Sequence, residues 1–296
     1  MKFRCLQILF FLGFYLVNSG SAVAQKKTIN ASQKTKKFII YNALLYGKTP
    51  DLTQYGFKQF FIFYEDDLVT KGINRSTGVE EGAPDLKKIK AAALKSKQDP
   101  NIPVCLDIES WTLDDAHVKN SLLKYMDVLN TFKRYNNLSK IGYYGVFPHP
   151  SPHKEYWYEN EMRAGIIMKR WNETNNNVKE VGLNVNIFFP SFYTRNKDLK
   201  IWKKIVQEKV AKIKSIRKDA KIYGFVWPQY YSDDQPFNFI DQEQWKFQLE
   251  TLYQYCDGIV IWSHYLGPNN KPIDFDYKMP WFQTTLQFIN KYKIAK

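Results

Sequence analysis

The sequence predicts an α/β fold, a TIM-like (β/α) barrel of seven to eight parallel strands, and three observations predict it. Short apolar runs alternate with amphipathic stretches of helical length, which implies parallel strands joined by helical crossovers. The apolar runs are nearly continuous, as strands buried on both faces must be. Polar and aromatic residues gather where those runs end: Tyr64, Asp107, Tyr144, Tyr193, Trp227 and Trp262. A barrel brings the C-terminal ends of its strands to one mouth, where such side chains form a site. No glycine-rich phosphate loop follows a strand, which argues against an open nucleotide-binding sheet.

The first residues stand apart from this pattern. Met1-Lys2-Phe3-Arg4 is a basic start, Leu6 to Val17 an apolar core, and Ala22-Val23-Ala24 a small-x-small cleavage site. Residues 1–24 therefore read as a secretory signal peptide, and the expected location is secreted or periplasmic. Its removal leaves about 272 residues and lowers the formal net charge from +14 to +12, because Lys2 and Arg4 go with it. It also leaves two cysteines, Cys105 and Cys256, too few for a disulfide framework, so a hydrophobic core must stabilise the fold. Residues 25–37 read as a flexible basic leader, and 38–296 as one barrel domain. No later segment approaches 18 apolar residues, so no stable membrane insertion is expected.

Along the domain, Phe38–Leu44 is the first expected strand and Phe60–Tyr64 the second, followed by the acidic loop Glu65-Asp66-Asp67. A helix is expected from Pro84 to Lys97. Val104–Ile108 is the third strand. Asp114-Asp115 should cap a long helix that presents Leu122, Leu123, Met126, Leu129 and Phe132 at helical spacing. Ile141–Phe147 is the fourth strand, and a helix should run from Glu155 to about Asn175. Val185–Phe189 is the fifth strand, followed by a basic helix over Leu199–Arg217. Ile222–Trp227 is the sixth strand, ending near Tyr230-Tyr231, and a helix follows over Asp241–Tyr255. Gly258–Trp262 is the seventh strand and Met279–Lys291 the closing helix.

The chemistry centres on Val104 to Trp111. Side chains alternate along a strand, so Asp107 and Glu109 share a face, their Cα atoms roughly 6.5–7 Å apart. Two carboxylates that close repel each other, and one tends to keep its proton near neutral pH, as a general acid must. Most glycosidases place two carboxyl groups on opposite sides of the bond. A pair from one strand fits the substrate-assisted exception, in which the sugar's own 2-acetamido oxygen is the nucleophile. The four histidines lack ligand spacing, and Asp233-Asp234 reads as a turn, so neither a metal nor a cofactor is expected.

At this point the residues resemble a family, the hyaluronidases of the animal and bee-venom type, glycoside hydrolase family 56. Six or seven pieces match in order. They are Phe38 to Leu44 with Asn42, Ile62-Phe63-Tyr64 before an acidic loop, Glu81-Gly82-Ala83-Pro84, and the Asp-x-Glu-x-Trp of Asp107 to Trp111. Gly142-Tyr143-Tyr144 with Phe147-Pro148, Phe189 to Tyr193, and Gly258 to Trp262 complete the series. The resemblance implies a distorted barrel of seven strands. It implies Glu109 as general acid and then base, Asp107 as the group orienting the acetamido N–H, and Tyr193 as a hydrogen-bond donor to the acetamido oxygen. It further implies Trp262 as a wall around the acetyl methyl. Tyr64, Trp227 and Tyr144 are strand-end aromatics placed to meet sugar, and Trp111 is counted with them as substrate-binding. The chain departs from the family pattern at Thr112, at Ser263-His264, in the loop after Phe147 and in lacking the family's disulfides. These departures bear on substrate choice more than on reaction type.

The expected function is therefore a secreted endo-β-N-acetylhexosaminidase acting on a glycosaminoglycan such as hyaluronan or chondroitin by a retaining mechanism. A pI near 9.4 suits a polyanionic polysaccharide partner, and an aromatic content of 17% suits sugar stacking as well as core packing. Nucleic acid is not an expected partner, since the aromatics lie on buried strands. Alternatives are a hydrolase of chitin-like or peptidoglycan-derived N-acetylglucosamine polymers, and a catalytically weak glycan-binding barrel.

Overall fold

The structure, a computed structural model, describes residues 36–72, 82–113, 117–150, 161–195, 197–231 and 237–294. The signal peptide expected at 1–24, most of the leader expected at 25–37, the cap expected at Asp114-Asp115, the start of the helix expected from Glu155 and the turn expected at Asp233-Asp234 lie outside these residues.

The main strands form a distorted (β/α) barrel of parallel strands. Strand β1 (Ile39–Ala43) pairs with β2 (Phe57–Lys58) on one side and with β10 (Gly258–Trp262) on the other. Beyond β10 come β9 (Lys221–Val226) and β8 (Ile187–Phe188). A second set orders β3 (Phe61–Tyr64), β6 (Val104–Asp107) and β7 (Ile141–Tyr143). The two sets meet twice. Asn186 N donates to Ile141 O at 2.8 Å and Gly145 N to Phe189 O at 3.1 Å, joining β7 to β8. At the other seam the segment 57–64 pairs first with β1, as β2, and then with β6, as β3. Seven strand positions result, β2 and β3 sharing one. A small antiparallel pair, β4 (Val69–Thr70) with β5 (Ala83–Pro84), lies outside this ring of pairings and was not expected from sequence.

Side-chain alternation divides the core into two layers. Inside the barrel, Tyr41, Cys105, Ile187, Phe189, Tyr223, Phe225 and Val260 pack together, with Phe60 turned in against Tyr41, Phe189 and Phe225. The intervening residues, such as Val104, Leu106, Ile222 and Ile259, face outward into a larger layer beneath the helices. Cys105 and Cys256 are free thiols, both buried. These side chains, most of them aromatic, thus fill the barrel interior below its mouth.

The helices are α1 (Leu86–Ser96), α2 (Val118–Tyr135), α3 (Glu161–Asn177), α4 (Lys179–Asn184), α5 (Leu199–Ile216), α6 (Gln242–Tyr255) and α7 (Pro280–Tyr292). Asp85, Asp198 and Asp241 cap α1, α5 and α6 by accepting from the first free N–H groups. Pro280 opens α7, where its missing N–H costs nothing. Two expectations shift. On helix α2 the expected face is buried except at one position: Leu129 and Phe132 are buried and Leu122 and Met126 pack against the core, with Val118, Ser121, Tyr125 and Val128 beside them, but Leu123 is 70% exposed. Tyr125 on that face donates its hydroxyl to Ile108 O at 2.9 Å. Strand β7 stops at Tyr143 rather than Phe147, because Gly145 takes a left-handed turn at φ 66°. Val146 and Phe147 stay apolar because they are buried under helices, outside the ladder. Lys36 lies over the Tyr253 ring at 5.5 Å, so the end of the leader is already held against α6. No helix among the described residues is long and apolar enough to cross a membrane.

Candidate active site

Strand parity builds the site. On β6, Val104 and Leu106 face the helices, so Cys105 and Asp107 face the interior. Cys105 fills the barrel, and Asp107, one step higher, reaches the mouth. There a cleft of about 710 Å³ opens, lined by Asp107 and Glu109 together with Tyr144, Tyr193, Trp227 and Trp262. The same parity carries Tyr223 and Phe225 of β9 inside and brings Trp227 to the rim.

The aromatic wall is rigid because its rings hold one another. Tyr193 stacks on Trp262 with centroids 5.6 Å apart, and Trp227 meets Trp262 edge-on at 5.1 Å. Trp262 Nε1 donates to the Tyr64 hydroxyl at 3.1 Å, linking β10 to β3 across the mouth. Trp227 Nε1 donates to Gln229 Oε1 at 2.8 Å. The Tyr144 hydroxyl donates to Ser191 Oγ at 3.1 Å, and Tyr144 and Tyr193 are also hydrogen-bonded to each other. Such amphipathic rings offer apolar faces with fixed polar tips, the surface a sugar ring needs.

Both carboxyl groups are held above their ordinary range. Burial pushes Asp107 up to about 8, with the charges of Glu109 and Glu65 adding to it. Glu109 reaches solvent, yet desolvation by the cleft walls raises its carboxyl too, followed by the charge of Glu65. The sequence expectation had Asp107 as the charged partner that keeps Glu109 protonated. The deeper Asp107 is the group more strongly driven to hold a proton, because it is further from water. Asp107 Oδ1 is buried with no hydrogen-bond partner among the described residues.

Of the expected site residues, Asp107, Glu109, Tyr193, Trp262, Tyr64, Trp227 and Tyr144 all line the cleft. Tyr144 faces in, whereas Tyr143 is buried among the helices with its hydroxyl on Tyr125 O at 2.7 Å. Trp111 is a correction. It lies outside the cleft, packed edge-on against Tyr125 at 5.1 Å, its Nε1 donating to Gly82 O at 2.9 Å. The strand has ended by Asp107 and the chain bends, so parity no longer carries Trp111 to the mouth. It borders a neighbouring cavity of about 360 Å³ that Glu109 and Tyr144 also line. The cleft contains residues not anticipated from sequence: Glu65, Ser191, Arg195, Tyr231 and His264. The Arg195 guanidinium lies 4.5 Å above the Tyr231 ring.

No protein-family model and no curated protein matches the sequence. Solved structures do. Bee venom hyaluronidase superposes with a TM-score of 0.56 at 15% identity, covering 86% of this chain and 97% of that one. Its complex with a hyaluronic acid tetramer gives a TM-score of 0.55 at 15% identity over 86% of this chain and 96% of that one. A glycoside hydrolase family 5 enzyme from Prevotella bryantii gives 0.42 at 7% identity over 87% of this chain and 96% of that one. The chain therefore has the distorted (β/α)-barrel fold of bee venom hyaluronidase.

Proposed function

We propose that the chain is a secreted endo-β-N-acetylhexosaminidase that hydrolyses an anionic glycosaminoglycan, such as hyaluronan or chondroitin, with retention of configuration. One observation carries this reading: the buried, unpaired Oδ1 of Asp107 beside the raised carboxyl of Glu109. Leaving such an oxygen unpaired costs about 1–3 kcal/mol, and the N–H of a bound 2-acetamido group satisfies it. That N–H and the positive charge developing on the sugar both favour ionised Asp107, leaving the proton of the coupled pair on Glu109. Glu109 passes it to the glycosidic oxygen as the bond from that oxygen to C1 breaks. The acetamido oxygen forms its bond to C1 in the same step, with Tyr193 donating to it. Water then attacks C1, gives its proton to Glu109, and the bond from C1 to the acetamido oxygen breaks. Two displacements at one carbon retain its configuration.

Arg195 favours an anionic polymer over a neutral chitin-like one. It lines the cleft over Tyr231, and no carboxylate pairs with it among the described residues, so its guanidinium fork is open to a uronate. A neighbour of the same fold, bee venom hyaluronidase, has been solved with a hyaluronic acid tetramer, which supports a polysaccharide substrate here. Export through residues 1–24 would bring the enzyme to polymers outside the cell. The test is release of reducing ends from hyaluronan, chondroitin and chito-oligomers by the wild type and by Glu109→Gln. Hydrolysis of an anionic polymer that falls about 10²–10⁴-fold in the variant is expected. Undiminished turnover by the variant, or a preference for chito-oligomers, contradicts the reading.

A further inference from the structure

We propose that Glu65 is a positioning residue for Glu109: it anchors the backbone beside the proton donor and sets a negative charge against it, so that the donor keeps its proton. The inference rests on the glycosidase reading above.

The geometry begins with strand pairing. Strand β3 runs beside β6 with Tyr64 opposite Asp107, so the residue after β3 comes level with the end of β6. Glu65 opens a short turn, Glu65–Asp67, held where Tyr64 N donates to the Asp67 carboxylate at 3.2 Å and Leu68 N donates to Glu65 O at 3.0 Å. From that turn Glu65 Oε2 accepts from Ser110 N at 3.1 Å. Ser110 follows Glu109 directly, so the bond ties the peptide beside the proton donor to the neighbouring strand. The same side chain lines the cleft with Asp107 and Glu109. A backbone N–H needs only an acceptor, and a neutral amide would serve. A third carboxylate adds repulsion that the hydrogen bond alone does not explain.

The surroundings leave that repulsion in force. The acids facing Glu109 are Asp107 on β6 and Glu65 with Asp66 after β3; the cationic lining is Lys71 and Arg195, with His264 after β10. Lys71 pairs with Asp66 at 3.3 Å, and Arg195, though still charged, stacks over the Tyr231 ring at 4.5 Å rather than pairing with Glu65 or Glu109. The phenols Tyr64, Tyr144 and Tyr193 are held above their ordinary range, chiefly by burial, and Tyr231 also lines the cleft. His149 meets Glu109 through the neighbouring cavity, and burial depresses its imidazole, which favours the neutral form. Among these groups Glu65 alone both repels an ionised Glu109 and bonds to the adjacent peptide.

The experiment compares Glu65→Gln, which keeps an acceptor for Ser110 N–H and removes the charge, with Glu65→Ala, which removes both. Carbon-13 NMR titration of the Glu109 side chain in the full chain reads its proton affinity whether or not there is turnover. In Glu65→Gln the Glu109 titration is expected to fall by about one pH unit. The basic limb of kcat/KM, which reports the acid of the free enzyme, should move down by the same amount, with the rate below that limb retained. Glu65→Ala is expected to lower kcat about tenfold at every pH. An unmoved Glu109 titration in Glu65→Gln overturns the proposal. So does a loss of about a thousandfold at every pH in that variant, which would make Glu65 a reacting group. Absence of hydrolysis by the wild type defeats the glycosidase reading instead, and the carboxyl titration still decides whether Glu65 holds the proton on Glu109.

Discussion

At the scale of single residues, Asp107 holds its place against its own stability. Its carboxyl titrates near 8 in the fold and near 3.8 in an unfolded chain. The folded state therefore binds a proton more tightly, and stability falls as pH rises between those values, reaching its full penalty above about 8. Asp107→Asn removes the charge at constant shape. It is expected to raise the melting temperature at pH 8.5 and to leave it nearly unchanged below pH 4, while abolishing most turnover. Thermal unfolding of both proteins at the two pH values checks this; an equal effect at both would mean that charge burial is not the cause. Asp107 and Glu109 stood out in the sequence because an apolar run ending in Asp-x-Glu sets two acids at one strand end, although solvated acids at an ordinary strand end share that pattern. Glu65 did not, since an acid within Glu-Asp-Asp has the composition of a solvated loop. Only the pairing of Tyr64 with Asp107 brings it to the site, and no local signal encodes that pairing. Trp111 was misplaced because it was counted with the strand-end aromatics, whereas it lies past the last ladder residue, where the chain bends away from the mouth.

At the scale of elements, the seam between β7 and β8 depends on the smallest side chain. Strand β8 is only two residues long, and the seam runs through backbone bonds at Asn186 and Gly145. Gly142 lies where the two backbones approach. A Cβ there would run into Ile187 O and come within 3.0 Å of the Phe189 ring. Gly142→Ala is expected to destabilise the fold by about 1–3 kcal/mol, read as a lower urea midpoint with an unchanged slope. A neutral effect would show that the seam has room to open. The strands were readable as apolar runs, yet β7 and β8 were expected to be longer than they are. Hydrophobicity marks burial, and Val146, Phe147 and Val185 are buried without pairing in the ladder. Helix α4 escaped notice because six residues show too little periodicity, and on α2 Leu123 alone of the expected apolar face points to solvent.

At the scale of the whole molecule, the number and order of strands followed from alternation, while the division of the core into a layer inside the barrel and a larger one beneath the helices emerged only once the ring of pairings was known. That ring has a consequence for how the chain must be made. The first strand lies between β2, close by in sequence, and β10, near the opposite end of the chain. Tyr41 on β1 meets Tyr223 at 5.1 Å inside the barrel, and Trp262 completes the mouth by reaching Tyr64. Contacts so distant in sequence form late and at a high cost in chain entropy. A chain cut after Tyr255 lacks β10, and it is expected to show no cooperative unfolding transition and no protected amides in β1. Native-like protection in such a fragment would mean that the ring need not close. A nascent chain is in the same position as that fragment. It has no complete ring of pairings to commit to until β10 has emerged, so it is expected to remain unable to fold cooperatively up to that point.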